Sequence, residues 1–357
     1  MAEKQGTSLT GIEGFPEEAA NRLAESWITT AEELVSAARQ EDGPAGLAEY
    51  LGLTEDEVTA LIEQAVDALP EDVTFAPDDV MEVGLGALDE PEGAGPDDEP
   101  VAFGEPLPSA VNLAERMPAI RHQRNRGTCV AHACVAVQEF LQGEASTESD
   151  LSEQFVYWAC KERDDYPGGG TWIKYGMAVL EELGVCVEQV WPYNPDPIEG
   201  NEGQGPPPDE AQADAALRRV KESSSVEPRW TTALRQVLAE GKPVAFAVPV
   251  YRYWVTEPVR SSGDIRMPLP HDHRLGGHAM CMVGYEDDPN VPGGGFFLIR
   301  NSWGTDWAKD SKMAAGYARL PYEYMTRFGR SAYSATAPEP KPDPDNWLQR
   351  LLKILFG

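Results

Sequence analysis

The 357-residue chain contains no run of eighteen apolar residues, and its first residues, MAEKQGTSLTGIEGF, lack the basic start and apolar stretch of a secretion signal. Neither export nor membrane spanning is written there, so a soluble, cytoplasmic protein is expected. Cysteine is sparse. Cys129, Cys134, Cys160, Cys186 and Cys281 are odd in number and irregularly spaced, which argues against a disulfide-stapled secreted framework and for buried thiols plus one reactive thiol. Positive charge is nearly missing from the front: the first hundred residues hold 26 Asp and Glu against 3 Lys and Arg, in a chain of net charge −31. Such a region repels the phosphates of nucleic acid and of anionic membranes.

What is present is globular. The chain is 41% hydrophobic with nine Trp, twelve Tyr and ten Phe, and disordered chains are poor in aromatics. Its length suits one full-size core with accessory pieces. Residues 8–70 read as a small all-helical module, with apolar positions at helical spacing in Ala19-Ala20-Leu23-Ala24 and in Val58-Leu61-Ile62-Ala65-Val66-Leu69. Thr29-Thr30-Ala31-Glu32-Glu33 and Thr54-Glu55-Asp56-Glu57 each place an acid three residues after a hydroxyl, the signature of a helix start. This stretch resembles helix-hairpin-helix domains. The resemblance would place the hairpin at Gly11-Ile12-Glu13-Gly14, where a glutamate among acids favours docking a protein over a merely structural cap, with gripping DNA third.

Residues 71–108, including DEPEGAGPDDEP, read as an acidic Pro/Gly-rich linker unable to bury enough apolar surface to fold alone; a cleavable or inhibitory leader is the other reading. A second proline-rich break spans 336–346. It isolates residues 347–357, WLQRLLKILFG, an amphipathic peptide. Docking into a partner or packing back on the body ranks above membrane binding, because two basic side chains on eleven residues anchor weakly.

The chemistry lies in residues 109–335. In Gln123-Arg-Asn-Arg-Gly-Thr-Cys129, turn-forming residues run into Ala and Val at helical spacing, so Cys129 falls at a helix start. The positive helix end and a neighbouring imidazolium would lower its thiol pKa, favouring the nucleophilic thiolate. His278 opens an apolar strand, GGHAMCMVGY, 149 residues later, and a second apolar strand, FFLIR, ends in Asn301-Ser-Trp303-Gly.

These segments, in this order, resemble the papain-like cysteine peptidases, in a bacterial-type, intracellular variant. The resemblance implies an α+β, two-lobed fold, a helical lobe facing a β-barrel-like lobe, here preceded by the all-α module. It implies Cys129 as nucleophile, His278 as base, Asn301 orienting the imidazole, Trp303 shielding that bond, and Gln123 with the Cys129 amide as oxyanion hole. Leu151-Ser-Glu-Gln matches a family helix start, and Gly169 and Gly170 match the glycines that pair with a substrate strand, within one residue. Gly277, just before the histidine, would leave a roomy subsite. Two positions depart from the pattern: Val130 replaces a Trp, and Arg126 replaces a cysteine that usually makes a disulfide.

The expected substrate is a peptide or protein, with no cofactor and no metal, and with partner docking through 8–70 and 347–357. His271 and His273 read as solvated loop residues, since no second cluster completes a metal site, and His132 and the other four cysteines as structural. An acyltransferase or deamidase of the same Cys-His-Asn chemistry, and a catalytically silent adaptor, are the alternatives to proteolysis.

Overall fold

The computed structural model describes residues 4–71, 73, 75, 81–89, 106–143 and 150–337. Four short helices come first: α1 (Glu17–Ala24), α2 (Ala31–Ala38), α3 (Gly43–Leu51) and α4 (Glu55–Asp67). Both anticipated starts are capping boxes. The Thr30 hydroxyl accepts the Glu33 N–H while the Glu33 carboxylate accepts that of Thr30, and Thr54 and Glu57 repeat the exchange ahead of α4. Such caps are worth about 1 kcal/mol each. Leu23, Leu34, Leu47, Val58 and Ala65 then close a small core of their own. Gly11-Ile12-Glu13-Gly14 is the turn into α1.

The remainder forms two lobes. In the helical lobe, α5 (Cys129–Gln142) is apolar on every side and buried from Cys129 through Phe140, with α6 (Glu153–Asp164) and α7 (Ile173–Glu182) packed on it. The other lobe is an antiparallel sheet of β1 (Ala110–Asn112), β2 (Glu222–Ser225), β3 (Val244–Tyr251), β4 (Arg274–Asp287), β5 (Gly295–Arg300), β6 (Tyr317–Pro321) and β7 (Ser331–Thr336). Its order is β2-β7-β3-β4-β5-β6, with β1 also on β4. Short helices α8 (Ala211–Ala215), α9 (Thr231–Ala239), α10 (Val259–Ser262) and α11 (Tyr322–Phe328) fill the connections.

The helical module is docked on this body. Trp27 leaves the module's core and enters the larger one, its ring stacked 6.2 Å from Phe296. Beside it the buried Arg319 guanidinium holds Asp264 in two 2.6 Å hydrogen bonds and lies 5.2 Å from the indole. The Met267 N–H donates to Ser26 O, and Gly46 approaches Pro270 so closely that a Cβ would sit 2.2 Å from its carbonyl oxygen. That face is therefore taken by the chain itself.

The expected linker needs revision at residues 81–89, which lie in the groove between the lobes. The composition argument weighed only what the segment could bury by itself, whereas it is buried against another part of the chain. Residues 338–357, with most of the second linker and the whole amphipathic peptide, lie outside the described residues.

Trp27→Ala removes a fully inserted indole, for which the expected cost is about 3–5 kcal/mol. Urea unfolding should show that loss together with earlier protease nicking of residues 4–71; an unchanged unfolding midpoint would contradict the docked arrangement.

Candidate active site

The groove is built from three backbone elements. α5 begins at Cys129, putting the thiol at the positive end of a fourteen-residue helix. β4 carries His278, paired with Val248 of β3. β5 ends at Arg300 and delivers Asn301 beside the imidazole. The His278 Nε2 to Asn301 Oδ1 distance is 2.8 Å, and Asn301 Oδ1 also accepts the Ser302 N–H at 2.7 Å. An oxygen that accepts from the backbone must accept from the ring too, so Nε2 carries the proton and Nδ1 is left as a base. Among the described residues Nδ1 has no hydrogen-bond partner. Trp303 stacks on the ring with centroids 4.5 Å apart and shuts water out.

The Cys129 sulfur lies among the backbone N–H groups of Ala279, which follows His278, and of Gly86, Val130 and Ala87. Gln123 is fully buried; its Nε2 donates to Arg126 O at 2.9 Å and Gly84 O at 3.0 Å, and its Oε1 accepts the Ser302 hydroxyl at 2.6 Å. Ser302 therefore fixes Asn301 with its N–H and Gln123 with its hydroxyl. Its place in the Asn-Ser-Trp-Gly tetrapeptide was the signal that could have identified it.

Residues 81–89 fill the groove. The Gly84 N–H donates to Arg124 O, that of Ala87 to Gly277 O, and Gly86 and Leu88 bracket Thr171, whose N–H donates to Gly86 O at 2.8 Å and whose O accepts from Leu88 at 3.0 Å. The fit admits no side chain at positions 84 and 86. A Cβ on Gly86 would stand 2.0 Å from Gly127 O, and one on Gly84 2.1 Å from Arg126 O. Gly170 and Gly277 line the other wall, where added Cβ atoms would fall 2.6 Å from Gly86 O and 2.1 Å from Ala87 O. Gly169 faces Glu202 instead, and the strand pairing is made one residue beyond the two glycines, at Thr171. The space in front of Gly277 is taken by the Ala87 backbone. An open cleft of about 680 Å³ lies elsewhere, between the helical module and α11, lined by Arg22, Tyr50, Tyr251 and Arg327 among others.

This covering reverses the expected thiol acidity. Burial pushes the Cys129 thiol up to about 11, against the pull of the four N–H groups. Burial likewise takes His278 down to about 4, with the Asn301 bond opposing and His132 adding a little. Under the segment the thiol and the imidazole are thus both neutral. The helix end and imidazolium that would lower the thiol act only once water can solvate the ion pair.

Arg126 occupies the place of the absent disulfide. Buried between Tyr157 and Tyr193, its guanidinium donates to Gln154 Oε1 at 2.8 Å, Asn194 O at 2.5 Å and Glu202 O at 3.1 Å, tying the approach to Cys129 to two distant loops. His132 is buried, held to Thr128 O at 3.0 Å and set against Tyr193, and burial takes it down to about 3. His271 is exposed and pairs with Glu49 across the module boundary.

Behind the site lies an acid cluster that nothing in the sequence announced. Glu139 of α5 accepts the Leu151 N–H and lies near Arg121, Arg300 and Glu153, while Arg121 pairs with Asp150 and Glu188 caps the Tyr193 N–H. Arg121 and Arg300 stand two residues and one residue before Gln123 and Asn301. Burial lifts the Glu139 and Glu153 carboxyls well above the usual 4.5, and Glu188 to about 7. Such a carboxyl keeps its proton in the folded chain where the unfolded chain has lost it, so its contribution to stability is lost as pH rises from 4.5 through the raised value.

Glu139→Gln removes that penalty; the expected gain is on the order of 1–2 kcal/mol at pH 8.5 and near zero at pH 5. Urea unfolding at both pH values checks this, and an equal effect at each would refute it. Gly86→Val should unseat the segment and raise alkylation of Cys129 at neutral pH on the order of tenfold or more, as the thiol returns toward its ordinary value. Peptide mapping of the labelled chain reads this; an unchanged rate at Cys129 would mean the segment does not control access.

Comparison with known proteins agrees with this geometry. Residues 107–332 match the papain family of cysteine proteases. An uncharacterized peptidase C1-like protein of Acanthamoeba polyphaga mimivirus is 25% identical over 230 residues, covering 61% of this chain and 69% of the relative. A cathepsin B-like protein, CP3, of Giardia intestinalis is 27% identical over 277 residues, covering 76% and 81%. Xylellain, a cysteine protease from Xylella fastidiosa, superposes with a TM-score of 0.60 at 27% identity, over 72% of this chain and 97% of its own. A match across well over half the sequence, on a two-lobed fold of the same kind, places the chain in the papain family of cysteine proteases, and it is a cysteine-type peptidase.

Proposed function

We propose that Cys129, His278, Asn301 and Gln123 carry out peptide hydrolysis in the groove, and that residues 81–89 hold the enzyme latent until they leave it. The observation that carries the assignment is the His278 Nε2 to Asn301 Oδ1 bond of 2.8 Å, which leaves Nδ1, without a hydrogen-bond partner among the described residues, to accept a proton. With the groove open, the thiol proton passes to His278 Nδ1 and the thiolate attacks the peptide carbonyl. The oxyanion is held by Gln123 Nε2 and the Cys129 N–H. His278 gives its proton to the leaving amine as the C–N bond breaks; water then attacks the acyl-enzyme, its proton going to His278, and the thiolate departs.

The seated segment is a ligand and not a substrate in this reading. It turns the N–H groups of Gly86 and Ala87 to the sulfur, and its Gly84 carbonyl takes the Gln123 amide that a substrate oxyanion needs. An intracellular, cytoplasmic setting is supported by the five free thiols, none of them paired, and a bacterial-type variant by the likeness to xylellain. Partner docking falls to the module's outward side, where Glu17, Glu18 and Glu25 are exposed, and to residues 347–357.

Cys129→Ala is expected to abolish both peptide turnover and covalent labelling by a thiol-directed epoxide, with the fold retained by circular dichroism. Intact mass spectrometry checks the labelling, and an epoxide adduct persisting in that variant would overturn the assignment.

A further inference from the structure

At the end of the groove the occupying segment is gripped by charge. Asp89 accepts from Arg274 NH2 at 3.2 and 3.4 Å, and its Oδ1 lies 3.8 Å from Arg330 Nε. Its backbone carbonyl is fixed by Trp172 Nε1 at 3.0 Å, next to the Thr171 pairing. The two arginines come from different elements, the start of β4 and the residue before β7, and converge on one carboxylate. The neighbouring carboxylate, Asp272, is already committed: Arg266 holds it with two hydrogen bonds of 2.7 and 2.9 Å, and the Leu269 N–H takes it as well. Arg330 Nε is buried with no hydrogen-bond partner among the described residues. In a chain of net charge −31, two guanidiniums meet on one carboxylate at this end of the groove.

We infer that Arg274 and Arg330 form a subsite for an acidic side chain, and that the enzyme prefers peptides that place Asp or Glu beside Thr171 and Trp172. This rests on the catalytic reading above. A substrate can enter only after the segment leaves, and the segment's departure removes Asp89 from both guanidiniums at once. A peptide that brings its own carboxylate restores the pairing; one that brings Lys adds a third positive charge. The pair is partly exposed, so the preference is several-fold and falls with salt.

The test uses the full chain carrying Asp89→Ala, which loosens the segment, and two synthetic nonapeptides: the sequence of residues 81–89, and the same peptide ending in Lys. Each is titrated as a protectant of Cys129 against the epoxide. The acidic peptide is expected to protect at a several-fold lower concentration, and the difference should vanish at about 1 M salt and when Arg274→Ala and Arg330→Ala are added. A peptide library cleaved by the Asp89→Ala chain should show the same preference. Equal protection by the two peptides, or a difference that survives loss of both arginines, overturns the subsite while leaving Cys129 labelling and the catalytic reading intact. Failure of the epoxide to label Cys129 even when Gly86→Val is added to unseat the segment removes the catalytic reading, and the subsite falls with it.

Discussion

A cysteine sulfur and an imidazole nitrogen can exchange a proton only if the ring is held in one tautomer and both groups are screened from competing partners. Much of the fold serves that condition. Asn301 Oδ1 fixes the ring because the Ser302 N–H fixes Asn301, and Ser302 Oγ in turn fixes Gln123, which belongs to the opposite side of the groove. One serine thus couples the imidazole to the oxyanion donor across the lobe junction. Trp303 covers the arrangement, and Trp307 stands edge-on behind it at 5.4 Å.

The same desolvation that preserves the pair disarms it. With residues 84–87 laid over the thiol, burial outweighs four N–H donors and the sulfur stays protonated. Latency here needs no distortion of the catalytic residues; it needs only that backbone replace water. This is why the segment reads Gly-Leu-Gly-Ala at the crossing, since the walls at Arg126 and Gly127 leave room for backbone alone at positions 84 and 86, while Leu85 and Ala87 turn to Gly276 and Gly277.

Much of the site could be read from the sequence because its residues sit in short, local patterns. Cys129 begins a helix, His278 lies on an apolar strand and Asn301 follows another, with His278 and Asn301 within hydrogen-bond distance, and both Thr-x-x-Glu helix starts formed their boxes. What escaped was non-local. The stretch at residues 81–89 reads as linker because Pro, Gly and acids dominate the sequence after it, while its own Met81, Val83, Leu85 and Ala87 pack on a core contributed by another part of the chain. Trp27 sits in a sequence that looks self-contained, yet its side chain is spent on another core. Arg126 was noticed as a missing cysteine, but only the fold shows that its guanidinium ties the approach to Cys129 to Gln154, Asn194 and Glu202. Glu139, Glu153 and Glu188 lie far apart in the chain and carry no motif.

The central claim is that one buried Cys-His pair is governed by the chain segment lying over it. Hydrogen-exchange mass spectrometry on the full chain, before and after epoxide labelling of Cys129, tests it most directly. The account predicts that the amides of Gly84, Ala87 and Leu88, each hydrogen-bonded in the groove, are protected in the free enzyme and lose that protection when the adduct takes their place. Amides that exchange freely before labelling, or keep their protection with the adduct in place, would contradict it.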